Sequence, residues 1–112
     1  HGVAAFRAAL EEKLLLAEYF HTRLAEIDGF DFGPYPQLSI AAFRYLPKHG
    51  DANAFNQKLC DDLRDDGRIF LSSTTIKNYY VLRFAVLSYN THIDDVDEAI
   101  DLIVAKTKQL QE

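Results

Sequence analysis

The stretch YYVLRFAVL, residues 79–87, decides how the rest of the chain is read. It is aromatic, aliphatic and β-branched, without Gly or Pro, and reads as a strand. Side chains alternate across a strand, so Tyr80, Leu82, Phe84 and Val86 share one face, and Val81, Arg83, Ala85 and Leu87 share the other. A sheet with one solvated face shows one polar set, and here both sets are largely apolar. Arg83 breaks the pattern. A guanidinium among apolar neighbours needs a carboxylate or phosphate partner.

Moving upstream, residues 74–78 read as a turn and RIFLSS at 68–73 as a short strand. Residues 51–66 form a helix: Asp51 or Asn53 caps it, Phe55, Leu59 and Leu63 repeat every four residues, and Gly67 closes it. SIAAFRYL at 39–46 is a further strand, ended by PKHG at 47–50. Residues 30–36 hold Gly33, Pro34 and Pro36, which allow an edge strand at best, followed by a turn. Residues 3–27 place Phe6, Leu10, Leu14, Ala17, Phe20, Leu24 and Ile27 at helical steps, and Asp28-Gly29 stops the helix. Downstream, Thr91, His92, Ile93 and Asp94 fit a capping box. The helix after it carries Val96, Ile100, Ile103, Val104 and Leu110 on one face, acids at its start, and Lys106 and Lys108 at its end.

The order α-β-β-α-β-β-α with short links predicts an α+β domain, a small antiparallel sheet packed with about three helices, spanning residues 1–112. Helices on one face would leave Ile40, Ala42, Leu46, Val81, Ala85 and Leu87 on the other, to be covered by something outside the chain.

Composition limits the function. The 112 residues carry 17 acidic against 12 basic side chains, a net charge of -5, which argues against nucleic acid or an anionic membrane surface as partner. No apolar stretch approaches the roughly 20 residues of a membrane span, and no signal peptide is visible, so the cytoplasm is the expected location. The single Cys60 excludes an internal disulfide or a CxxC site and reads as a core filler. There is no Met, so the chain is read as a fragment, with His1 set aside as a possible remnant of tagging. None of the five Gly residues forms a phosphate-binding GxGxxG or GxxxxGK loop.

His21, His49 and His92 lack ligand spacing. The cluster Asp61, Asp62, Asp65 and Asp66 fails as a calcium loop, because Arg64 would fall on a ligand position and Ser73 on that of the closing Glu. Thr74 and Lys77 have the spacing of a hydroxyl–lysine nucleophile pair, without its partner motifs. That leaves two strand arginines. Arg44 is read as one half of an ion pair within the domain. Arg83, pointing away from the helices, is read as a clamp for an anion in a cleft.

Taken in order, Phe43-Arg44, Asn53-Ala-Phe-Asn56, Gly67-Arg-Ile-Phe-Leu-Ser, Val81-Leu-Arg-Phe-Ala-Val and Thr91-His-Ile-Asp-Asp-Val-Asp resemble the C-terminal region of the group II pyridoxal-phosphate-dependent amino-acid decarboxylases, which include the aromatic-L-amino-acid and glutamate decarboxylases. The leading helix resembles the first helix of that region. The resemblance implies the small C-terminal domain of a fold-type I enzyme, with an antiparallel sheet and a homodimeric parent. It also implies that pyridoxal phosphate and the catalytic residues lie in the large domain, the partner of this one. The fragment alone is then inactive and binds no cofactor, and Lys77 does not match the Schiff-base lysine. Arg83 matches a position that meets the carboxylate of the amino-acid substrate. Two alternatives stay open: the small domain of a fold-type I aminotransferase, and a non-catalytic α+β binding module.

Overall fold

A computed structural model describes residues 2–32, 42–69, 71–84 and 92–111, with the backbone alone for 2–10 and 13. The elements in chain order are α1 (Gly2–Ala25), β1 (Phe30–Asp31), β2 (Ala42–Tyr45), α2 (Ala52–Asp66), β3 (Leu71–Ile76), β4 (Tyr79–Phe84) and α3 (Ile93–Gln111). The strands form one antiparallel sheet in the order β1-β2-β4-β3. The α+β fold read from the sequence is the fold of the structure.

Alternation in β4 sets the layers. Leu82 and Phe84 are buried and Arg83 between them is exposed. Phe43 pairs with Leu82 and Leu71 with Phe84, so these four share the inner face. They join one cluster with Leu16, Ala17, Phe20 and Leu24 of α1, Leu59, Cys60 and Leu63 of α2, and Val96, Ala99, Ile100, Leu102 and Ile103 of α3. The Phe20 ring sits 4.9 Å from Phe84 and 5.7 Å from Phe43, centroid to centroid, within the range of favourable aromatic pairing. All three helices therefore serve one face of the sheet.

The local signals act as their chemistry dictates. Asp51 caps α2 by accepting the Ala54 N–H at 2.8 Å. Gly67 ends it in the left-handed conformation, φ 80°, with its N–H on Leu63 O. Gly29, φ 98°, answers a tighter demand: a Cβ there would lie 2.5 Å from Tyr45 Cε1, and its carbonyl accepts the Leu46 N–H at 2.7 Å. Asp31 pairs with Arg44 across β1 and β2, so the expected edge strand exists.

Three details differ from the sequence reading. The strand placed at 68–73 is β3 at Leu71–Ile76, and the turn placed at 74–78 shrinks to Lys77 and Asn78, with φ 50° and 73°. The β-branched run Thr74-Thr75-Ile76 extends the strand, and two left-handed residues suffice for a hairpin whose twist matches its strands. The cap of α3 falls one residue later than expected. Asp95, not Asp94, reaches back to accept the His92 N–H at 2.8 Å, because His92 carries the first helical carbonyl. Thr91, the strand residues 39–41 and 85–87, and Ile40, Ala85 and Leu87 of the expected bare face lie outside the described residues.

Candidate functional site

The outer face of the sheet carries Tyr79, Val81 and Arg83 from β4. The register adds Ala42 on β2 and Ser72 on β3, both directly opposite Arg83, and Thr74 opposite Val81. Among the described residues this face is not the bare apolar surface expected from the sequence, while Ile40, Ala85 and Leu87 of that set lie outside them. Val81 and Ala42 are only 7% and 5% exposed. Long side chains, Tyr79, Arg83 and Arg44, and the hydroxyls of Ser72 and Thr74 flank them on the same face. Only Leu46, beyond the end of β2, is an exposed member of the described set.

The two strand arginines have opposite environments. Arg44 Nε donates to Asp31 Oδ2 at 2.9 Å, and its guanidinium carbon lies 4.4 Å from the centre of the Tyr79 ring. Its side chain is 16% exposed. A carboxylate and an aromatic face together satisfy it, as a structural ion pair requires. Arg83 is exposed, and among the described residues it makes no ion pair or hydrogen bond. Among the described residues one strand guanidinium is held firmly and the other meets no partner.

Two asparagines hold this face in place: Asn56, given no side-chain role from the sequence, and Asn53, read there as an alternative cap of α2, a place the structure gives to Asp51. Asn56 is fully buried. Its Oδ1 accepts the Tyr45 N–H at 2.8 Å, and its Nδ2 donates to Tyr45 O at 2.8 Å and to Ala52 O at 2.7 Å. Asn53 accepts the Tyr80 N–H at 3.0 Å and donates to Asn78 O at 2.6 Å. Two amides one turn apart on α2 thus occupy backbone groups at Tyr45 of β2, at Tyr80 of β4 and at Asn78 in the turn before it. The available signal was a pair of Asn residues flanking Phe55 on the packed side of an amphipathic helix, where a polar side chain must find partners.

The remaining candidates take structural places. Cys60 is buried in the core. Burial pushes the Tyr80 phenol above its usual value, with a Ser73 hydrogen bond acting the other way and the Cys60 thiol adding to the rise. Asp62 pairs with Lys58 at 3.0 Å and Asp66 with Arg68 at 2.7 Å, and the Arg68 hydrogen bond holds the Asp66 carboxyl below its usual range. Among the described residues no His, Cys, Asp and Glu set is grouped to hold a metal ion. His21 packs on Phe32, its ring centre 4.2 Å away, and His92 stands at the start of α3, its backbone N–H donating to Asp95. Thr74 lies in β3 and Lys77 in the hairpin turn. Tyr19, Arg23 and Asp97 tie α1 to α3, with Arg23 Nη1 2.6 Å from Asp97 Oδ1.

Two clefts flank the end of α3. One, of about 440 Å³, is lined by Pro47, Lys48, His49, Phe55, Leu110 and Gln111. The other, of about 150 Å³, includes Asp28, Phe30, Tyr45 and Lys108. Gln111 Nε2, donating to the Tyr45 hydroxyl at 2.6 Å, stands between them. Neither is lined by Arg83. Among the described residues no helix is long and apolar enough to cross a membrane.

No family model matches the chain. An aromatic-L-amino-acid decarboxylase of Bacillus atrophaeus is 30% identical over 115 residues, which is 99% of this chain and 23% of that protein. Tryptophan decarboxylase 2 of Oryza sativa subsp. japonica is 30% identical over 100 residues, 84% of this chain and 20% of that one. Among solved structures, Catharanthus roseus tryptophan decarboxylase in complex with L-tryptophan superposes with a TM-score of 0.83 at 26% identity, covering 92% of this chain and 22% of that one. Oryza sativa TDC with PLP and tryptamine shares the fold, with a TM-score of 0.88 at 24% identity over 98% of this chain and 25% of that one. The chain spans about a fifth to a quarter of the length of these relatives.

Proposed function

The chain belongs to the group II pyridoxal-phosphate-dependent decarboxylases, as a piece about a fifth to a quarter of their length, and we propose that residues 1–112 are the C-terminal small domain of such an enzyme. In this reading the domain closes the active-site cleft of a homodimeric cytoplasmic decarboxylase against its large domain. Its substrate is an aromatic L-amino acid, the class named in the relatives.

The observation that carries the reading is Arg83, a strand-centre guanidinium that is exposed and unpaired among the described residues, on the face turned away from the helices. A substrate carboxylate fits it. The planar guanidinium offers two parallel N–H donors to two carboxylate oxygens, and closure strengthens the pair by removing water. The clamp fixes the substrate's orientation before reaction.

The described residues of this chain do not fit the cofactor itself. Lys77 lies in a two-residue turn and lines neither cleft. The smaller cleft is below the roughly 300 Å³ at which ligand pockets begin, and the larger has no carboxylate in its lining to pair with a pyridine nitrogen. Pyridoxal phosphate, which supplies the electron sink in such enzymes, is assigned to the large domain.

The test uses the complete enzyme and CO₂ release from L-tryptophan or L-tyrosine. Arg83→Ala lowers kcat/KM by about 30- to 1,000-fold, corresponding to about 2–4 kcal/mol. Arg83→Lys keeps the charge but loses the fork, and costs less. Wild-type kcat/KM in Arg83→Ala overturns the role, and absence of CO₂ release from the wild type overturns the activity.

A further inference from the structure

We propose that Ser72 is the second donor of the anion site whose first donor is Arg83, so that one carboxylate is held by the guanidinium and the serine hydroxyl together. The inference rests on the carboxylate-clamp reading of Arg83 and extends it to a residue on a different strand.

The register places it. Ser72 and Arg83 are directly opposite across β3 and β4. Such pairs share a face with their Cβ atoms about 4.5–5.5 Å apart. Both residues are exposed, and among the described residues neither side chain has a hydrogen-bond partner. On the other flank of Arg83 stands Ala42, its partner across β2 and β4. A small apolar side chain on one side and a hydroxyl on the other leave the guanidinium open and give its surroundings one uncharged donor. An anion seated against Arg83 meets that hydroxyl without any movement of the backbone.

Charge supports the same place. Arg44 lies on this face two residues along β2 from Ala42, a diagonal neighbour of Arg83, and its charge is balanced by Asp31 at 2.9 Å. No described acid is bonded to Arg83, so its charge is available to a ligand. A hydroxyl beside an ionised pair donates a charge-assisted bond, stronger than one between neutral groups. Thr74, the next outward hydroxyl on β3, faces Val81 and not the arginine.

The experiment uses the complete, cofactor-loaded enzyme and two probes: 3-phenylpropanoate, which has the carboxylate and lacks the amine, and 2-phenylethylamine, which has the reverse. Each is titrated as a competitive inhibitor. Ser72→Ala weakens 3-phenylpropanoate by about 5- to 20-fold, leaves 2-phenylethylamine within about twofold, and leaves the melting temperature unchanged. Ser72→Thr restores binding of the carboxylate probe. On an Arg83→Ala background the added Ser72→Ala has little further effect, because the two donors share one anion. Equal weakening of both probes by Ser72→Ala overturns the proposal in favour of general packing. Unchanged 3-phenylpropanoate binding in Ser72→Ala, with loss in Arg83→Ala, overturns the Ser72 role and leaves the clamp standing. Unchanged binding in Arg83→Ala overturns the clamp itself and the Ser72 role with it.

Discussion

The two faces of the sheet are made by the same strands and obey different rules. On the inner face Phe43, Leu82 and Phe84 meet all three helices and are closed off from water. On the outer face, one residue along each strand, Arg44 is neutralised by Asp31 and Arg83 is exposed, with no partner among the described residues. The inner face is organised by volume and the outer face by charge. With the role proposed for Arg83, stability and recognition are separable by substitution, even between adjacent residues such as Leu82 and Arg83.

The largest effect that would sharpen this contrast belongs to the inner face. Phe43→Ala removes a fully buried ring that contacts Phe20 and Phe30. It should lower unfolding free energy by about 3–5 kcal/mol in denaturant titration, a large part of the roughly 5–15 kcal/mol of a typical domain. A loss under 1 kcal/mol would break the account of the core.

Next comes the seam between the faces. Asn56→Leu keeps the size and strips the amide, leaving the Tyr45 N–H and C=O without their side-chain partners. A cost of about 2–4 kcal/mol is expected for two backbone groups left unsatisfied. Amide hydrogen exchange at Tyr45 should accelerate more than at Leu82, whose residue pairs with Phe43. Uniform acceleration would show that Asn56 acts only through global stability.

The smallest expected effect is a pH dependence. The Tyr80 phenol is raised above its ordinary value of 10.0, chiefly by burial. Its proton is therefore held more tightly in the folded chain than in the unfolded one. That contribution is complete below pH 10 and is lost as pH rises through the folded value. Stability measured from pH 8 to 11 should fall less steeply in Tyr80→Phe than in the wild type, and identical slopes would refute the burial of this group.

Much of the inner face was legible because its signals are local. Asp51, the spacing of Leu59 and Leu63, and Gly67 bound α2 without reference to any other element. Alternation in β4 gave the direction of Arg83. The rest depended on pairing. Ser72 and Ala42 flank Arg83 only because β3 and β2 take the registers they do, and a single strand's sequence does not contain its register. The three-residue displacement of β3 shows the same thing: once Lys77 and Asn78 make the turn, Ser72 falls opposite Arg83. Asn53 and Asn56 were visible as residues, but their roles need the strands whose backbone they hold.

The separation of stability from recognition is tested most directly by Arg83→Ala, measured twice. One measurement is the thermal melting of the 112-residue chain, and the other is kcat/KM of the complete enzyme at a temperature where both proteins are folded. A surface side chain such as Arg83, without a partner among the described residues, is expected to contribute within about 0.5 kcal/mol to stability, so the melting temperature should stay close to that of the wild type while kcat/KM falls by about 30-fold or more. A substantial drop in melting temperature, with activity lost only in proportion to unfolding, would contradict the account.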